Sequence, residues 1–209
     1  MEEVEEKHFE FGKNWQSFLT NLNDVRINVA KESLQRMLGF DDLSNKTFID
    51  IGSGSGLFSL AARQLNAKVH SFDYDIDSVN CTKELKKRYY PEDNNWTIEQ
   101  GSILDKEYLS KFNKFDIVYS WGVLHHTGSM WNAIHEASKL VKDNGLFYIA
   151  IYNDQGNKSR RWLKVKKLYN KNLFGKYFII ILFFTYFFVM ALLNSVLKKK
   201  NLFKDYKQR

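Results

Sequence analysis

Five short, largely apolar runs mark the middle of the chain, and four helical segments fall between them. Thr47–Gly52, Val69–Asp73, Trp96–Gly101, Phe115–Trp121 and Leu146–Tyr152 are short and rich in β-branched and aromatic residues, so they predict strands. Leu57–Leu65, Ile76–Tyr89 and Met130–Lys142 keep a helical period, with Asp75 as the cap of the second and Pro91 beyond its end; a short helical turn follows Asp105. Near-continuous apolar strands that alternate with helices predict a mainly parallel, doubly wound α/β sheet covered on both faces.

The flanks differ from this core. Residues 1–46 predict a helical cap: Ile27, Ala30, Leu34 and Leu38 lie on one helical face, Asp24 is a candidate N-cap and Gly39 a stop. An aromatic cluster of Phe9, Phe11, Trp15 and Phe18 precedes it. Residues 47–152 form the α/β core. Residues 153–209 form a tail that begins polar and basic, then runs Tyr177–Leu197 without charge, glycine or proline.

That run is 21 residues long, about 31 Å as a helix and close to the thickness of a bilayer core. It is apolar all round, whereas a helix covering a sheet shows a polar stripe, so membrane contact is favoured over burial. Basic residues flank both ends, eight within 158–176 and six within 198–209. The positive-inside tendency would hold both flanks on the cytoplasmic side, so a spanning helix, an interfacial helix and a hairpin-like insertion all stay open.

Charge sharpens the division. Residues 158–209 hold 14 Lys/Arg and one acid, a net +13, while residues 1–157 hold 17 basic and 23 acidic residues, a net −6. A mildly acidic body disfavours a nucleic-acid groove across the core, and the basic tail suits an anionic membrane surface. Cys81 is the only cysteine, so an intrachain disulfide and a cysteine-built metal site are excluded, in keeping with a reducing compartment. Met1–Glu10 carries five glutamates and no apolar run, so no signal peptide is expected there and the expected location is cytoplasmic.

The richest chemistry lies at Phe48-Ile-Asp-Ile-Gly-Ser-Gly-Ser-Gly56, where an apolar strand meets three alternating glycines and a helix begins at once. Such glycines let the chain turn tightly and let a ligand approach the backbone, and the helix N-terminus favours an anionic group. A dinucleotide fingerprint would need glycine at position 57, which is Leu57, so a nicotinamide enzyme is disfavoured. The second strand ends in Asp73, 17 residues beyond Gly56, where a carboxylate can accept hydrogen bonds from both ribose hydroxyls.

The Asp50-x-Gly52-x-Gly54-x-Gly56 spacing resembles motif I of the class I S-adenosylmethionine (SAM)-dependent methyltransferases. In that family the loop, here Asp50, Gly52, Ser53, Gly54 and Gly56, wraps the methionine part of SAM. Asp73 matches the family's ribose-binding acid, and Tyr74 would lie beside the adenosine. Gly101-Ser-Ile-Leu-Asp105 matches the segment near the adenine, with Ser102 and Ile103 where the family often has an acid at the first position. Phe115–Thr127 resembles the fourth strand and following loop, so Ser120 and Trp121 should border the methionine half. The resemblance covers about residues 10–153 and points to bacterial ubiquinone O-methyltransferase-like small-molecule enzymes. Aromatic N-terminal helices often close over the pocket there, a role that falls to Trp15. The family normally ends in two further strands, the last antiparallel, and none is evident after Tyr152, so the chain is expected to lack the end of that fold or to be incomplete relative to its relatives.

Methyl transfer to oxygen needs alignment of donor and acceptor, and a base with a pKa near neutrality. His126 and His125 are the candidate bases. As neighbours on a helix or extended segment they should face different ways, with one pointing at the substrate, and His126 is favoured. His8, His70 and His135 have no cluster partners, and the Asp73/Asp75/Asp77 run lacks the glycine and distal glutamate of a calcium loop, so no protein-built metal site is expected. The resulting expectation is a SAM-dependent transferase acting on a small apolar or membrane-borne acceptor. An RNA or protein methyltransferase is the second reading, although Pro91 is the only proline and rules out an Asn/Asp-Pro-Pro-Tyr motif for base amino groups. A non-catalytic SAM-binding membrane protein is the third.

Overall fold

The computed structural model describes residues 18–198, and Trp15, Phe9 and Phe11 lie outside them. Two compact units divide between Tyr152 and Asn153.

The first unit holds helix α1 (Asp24–Leu38), then β1 (Thr47–Ile51), α2 (Leu57–Gln64), β2 (Lys68–Asp73), α3 (Ile76–Tyr89), β3 (Trp96–Gln100), α4 (Lys106–Ser110), β4 (Phe115–Trp121), a 3₁₀ turn (Leu124–His126), α5 (Met130–Lys139) and β5 (Val141–Ala150). The five strands are parallel in the order β3-β2-β1-β4-β5. The direction of winding therefore reverses between β1 and β4, which is where doubly wound sheets bind ligands at the strand ends.

Alternation along β1 explains why both faces are covered. Phe48 packs with Leu34, Leu60 and Tyr119 on one face, while Ile49 and Ile51 pack with Phe72, Val118 and Ala137 on the other. Helix α1 shares the first of these cores: Ile27, Ala30, Leu34 and Leu38 are all buried, and Gly39 ends the helix in the left-handed conformation. The cap of α1 is Asn23, whose side chain accepts from the Arg26 amide; Asp24, expected as the cap, sits in the first turn, where its charge favours the helix dipole.

The end of α5 also differs from expectation. The helix stops at Lys139 and the chain enters β5 at Val141, so Lys142 is not helical. Phe115 pairs with Val141, but Ile117 pairs with Leu146, so residues between 141 and 146 bulge from the ladder. The Asp116 carboxylate accepts from the Lys142 ammonium at 2.8 Å and from the Thr47 amide and hydroxyl at 2.8 and 2.6 Å, which holds it well below the ordinary carboxylate range. Asn144 has a left-handed φ of 64°, the turn that lets Lys142 reach inward before the strand resumes.

The second unit is a pair of helices, α6 (Asn157–Lys171) and α7 (Leu173–Lys198). Among the described residues no strand follows β5.

Candidate functional site

The loop after β1 is built around its glycines. Gly52, Gly54 and Gly56 have φ of 77°, 55° and 77°, a conformation that side chains rarely adopt. Space is closed at two of them as well. A Cβ on Gly52 would lie 2.4 Å from the Val123 side chain, and one on Gly56 would lie 2.9 Å from the Thr82 backbone.

Hydrogen bonds fix this loop to its neighbours. The Gly52 and Ser53 amides donate to the Phe72 carbonyl, at 2.8 and 3.2 Å. The Gly54 amide donates to one oxygen of Asp73 at 2.9 Å, and the Asp75 amide donates to the other at 3.0 Å. Burial raises the Asp73 pKa, opposed chiefly by these amides. A carboxylate oxygen can accept more than one donor, so each retains capacity for a ligand hydroxyl. From below, Thr82 of α3 hydrogen-bonds the Ser53 hydroxyl at 3.1 Å and donates to the Gly54 carbonyl at 3.3 Å. Tyr74, beside Asp73, is exposed, and its carbonyl accepts from Gln100.

Asp50 is only 3% exposed, so the sequence places a carboxylate beneath the loop rather than on its surface. It terminates a buried chain of donors: the Trp96 indole donates to Ser71 at 2.9 Å, Ser71 to Ser59 at 2.7 Å, and Ser59 to Asp50. Burial pushes the Asp50 pKa up to about 7; the Ser59 hydrogen bond opposes this, and the charge of Asp73 adds to it. Ser59, Ser71 and Trp96 were not legible as site residues, because each falls on an otherwise apolar, buried face.

At the end of β4 the two candidates take different roles. The Ser120 hydroxyl is buried and donates to the Ile51 carbonyl at 2.9 Å, bracing β4 against the residue before Gly52. Trp121 is half exposed, and its ring lies near-parallel to Phe58 (6.3 Å) and Tyr148 (6.0 Å). Phe58 and Tyr148 thus extend an aromatic face beside the glycine loop that β-strand spacing alone did not reveal. On the β3 side, Ile103 is buried and the Ser102 hydroxyl accepts from the Leu104 amide. A Cβ at Gly101 would lie 2.2 Å from the Tyr108 ring, so a larger residue there would have to displace that ring.

The two histidines do not diverge as expected. The 3₁₀ turn brings their ring centroids within 4.0 Å, and both lie against Tyr152, at 4.5 Å for His125 and 5.7 Å for His126. Neither His125 ring nitrogen is exposed or hydrogen-bonded among the described residues. Burial lowers the His125 pKa and the adjacent His126 lowers it further, which favours the neutral imidazole. No group of three or more His, Cys, Asp or Glu that could hold a metal occurs among the described residues.

A bare backbone cradle and an acid at the next strand end fit the methionine and ribose parts of SAM. The Methyltransferase domain family matches residues 42–202. A ubiquinone biosynthesis O-methyltransferase of Pelagibacter ubique is 29% identical over 139 residues, which cover 65% of this chain and 55% of that protein. A ribosomal protein L11 methyltransferase of Prochlorococcus marinus is 40% identical over 80 residues, 37% of this chain and 23% of that protein. The chain therefore spans about half the length of the ubiquinone-biosynthesis relative. A solved structure from Methanococcus maripaludis, assigned as a SAM-dependent methyltransferase, covers 85% of this chain and 78% of its own, with a TM-score of 0.56 and 22% identity, a likeness of fold. With most of its length matched by that family, its five-stranded sheet wound in this order and its glycine loop at the point of reversal, the chain belongs to the class I SAM-dependent methyltransferases.

Proposed function

We propose that this chain transfers a methyl group from SAM to an oxygen of a small acceptor that is apolar or membrane-borne, working at the cytoplasmic face of a membrane to which residues 158–209 attach. The observation that carries this reading is the half-exposed Trp121, set between Phe58 and Tyr148 beside the glycine loop. An aromatic face at that position suits a flat apolar acceptor. The name of the Pelagibacter relative supports the same class.

Bound SAM supplies a methyl carbon already activated by its sulfonium. Gly52, Ser53, Gly54 and Gly56 hold the methionine part, and Asp73 takes the ribose hydroxyls. Ser102 and Ile103 border the adenine, Tyr74 the adenosine, and Trp121 the methyl end. Asp50 supplies negative charge beneath the loop, where a cationic ligand draws its carboxyl back toward the ionised form. The acceptor hydroxyl gives its proton to His126, and the neutral His125 beside it makes that added positive charge tolerable.

A second reading, methylation of a protein, is favoured by the ribosomal-protein relative and by the basic tail. One experiment separates the two. Labelled SAM is supplied to the full chain with lipid extracts of membranes, and separately with a ribosomal protein fraction. Label in an organic-soluble product supports the proposal; label in protein alone replaces it with the second reading. SAM binding without turnover on either substrate would leave a non-catalytic SAM-binding protein. Within the first outcome, His126→Asn is expected to lower kcat at least tenfold with SAM affinity unchanged.

A further inference from the structure

Helices α6 and α7 form an antiparallel hairpin joined at Asn172, whose backbone is extended and whose side chain accepts from the Gly175 amide at 2.8 Å. Contacts advance in opposite directions along the two helices. Gly175 lies against the Leu168 carbonyl so closely that a Cβ would stand 2.3 Å from it, Lys176 sits over the Tyr169 ring, and Trp162 stacks on Phe183 at 5.6 Å. Gly175, Ile179 and Phe183 therefore form one stripe of α7, spaced by four residues, and they carry its covered positions. The remaining apolar side chains are open: Ile181 is 61% exposed, Phe184 69% and Phe188 53%.

The partner helix decides what such a surface can meet. Helix α6 carries Lys158, Arg160, Arg161, Lys164, Lys166, Lys167 and Lys171 and no acid. It runs beside α7 from Gly175 to Phe183, within the apolar window Leu173–Leu193 that α7 would need to cross a bilayer. With the hairpin intact, a crossing α7 would draw those cations into hydrocarbon, where they are strongly disfavoured. An interfacial position satisfies both helices. The open faces of α7 enter the acyl boundary, and the cations of α6 meet lipid phosphates.

We propose that α6 and α7 form a monotopic hairpin seated in one leaflet of an anionic bilayer, with both flanks on the same side. This deepens the reading of a membrane-borne acceptor, because the hairpin holds the transferase unit at the surface in which such an acceptor is dissolved.

The test uses the full chain carrying Cys81→Ser, Asn157→Cys and Gln208→Cys, reconstituted into sealed vesicles of phosphatidylcholine and phosphatidylglycerol. The vesicles are treated with a membrane-impermeant maleimide, quenched, and the protein is read by intact mass. A hairpin in one leaflet gives molecules with two labels or none, whichever way each faces. A spanning α7 puts the two cysteines on opposite sides and gives one label per molecule, which would overturn the proposal. Cosedimentation of the unlabelled chain with added vesicles is expected to be at least tenfold stronger on anionic vesicles than on phosphatidylcholine alone. Arg160→Gln/Arg161→Gln/Lys164→Gln should abolish that preference with helix content unchanged. No sedimentation with anionic vesicles, or self-association of the chain in place of it, would also overturn the proposal. SAM titration of the same sample keeps failure of the hairpin distinct from failure of the transferase reading.

Discussion

Asp50 is the residue where folding and ligand binding pull in opposite directions. Its folded pKa of about 7 lies above its ordinary value of 3.8, so the native state holds a proton that the unfolded chain has already released between those pH values. The Asp50 contribution to stability is therefore fully present below about pH 3.8, is lost as pH rises to about 7, and is level above it, with a slope near 1.4 kcal/mol per pH unit in that window. Asp50→Asn should remove this decline, seen as a flatter dependence of Tm on pH, and should weaken SAM binding. Ser59→Ala should act the other way on the carboxyl, raising its pKa further and lowering stability at pH 8 by about 1–3 kcal/mol, because the buried charge loses its hydroxyl donor. The glycines show the same competition. Gly52→Ala should cost roughly 1–3 kcal/mol in denaturant unfolding, from the left-handed φ and the clash with Val123 together. Gly39→Ala, left-handed but with open space around its Cβ, should cost less.

At the scale of elements, strand β5 shows where local pattern stops being informative. Its second half was legible because Leu146–Ala150 is apolar, but its first half reads as a helix end. Its start is set by long-range partners on β4: Val141 pairs with Phe115, and the Lys142 side chain reaches the Asp116 carboxylate from the bulge. Asn144→Val should therefore destabilise the unit by about 1–2 kcal/mol, through the left-handed φ at the bulge, whereas Asn144→Gly should be tolerated; chemical denaturation of the two variants checks this. The glycine loop, Asp73 and the α1 face were legible because each rests on spacing within one element or one βα turn. Thr82, Ser59, Ser71 and Trp96 were not, since their roles arise from side chains meeting across elements. The histidine pair was legible as residues but not as a pair: the 3₁₀ turn, rather than a helix or strand, sets their rings side by side.

For the whole molecule, charge and apolar surface divide in the same place as the contacts. The unit up to Tyr152 carries both cores of the sheet and the candidate site, and the helical pair from Asn153 onward carries the basic surface and the long apolar helix. The two are expected to respond differently to salt. Raising ionic strength should weaken attachment to anionic vesicles while leaving SAM affinity within about twofold, because screening acts mainly on exposed charge. Calorimetric titration of the full chain with SAM and separately with NAD, repeated on Asp73→Ala, shows whether the glycine loop and Asp73 form a SAM site. Saturable SAM binding, no NAD binding, and at least a tenfold loss of SAM affinity in the variant are expected, since charge-assisted hydrogen bonds are worth about 1.5–3 kcal/mol each. A folded chain that does not bind SAM, or that binds it equally well without the Asp73 carboxylate, would contradict a SAM site there.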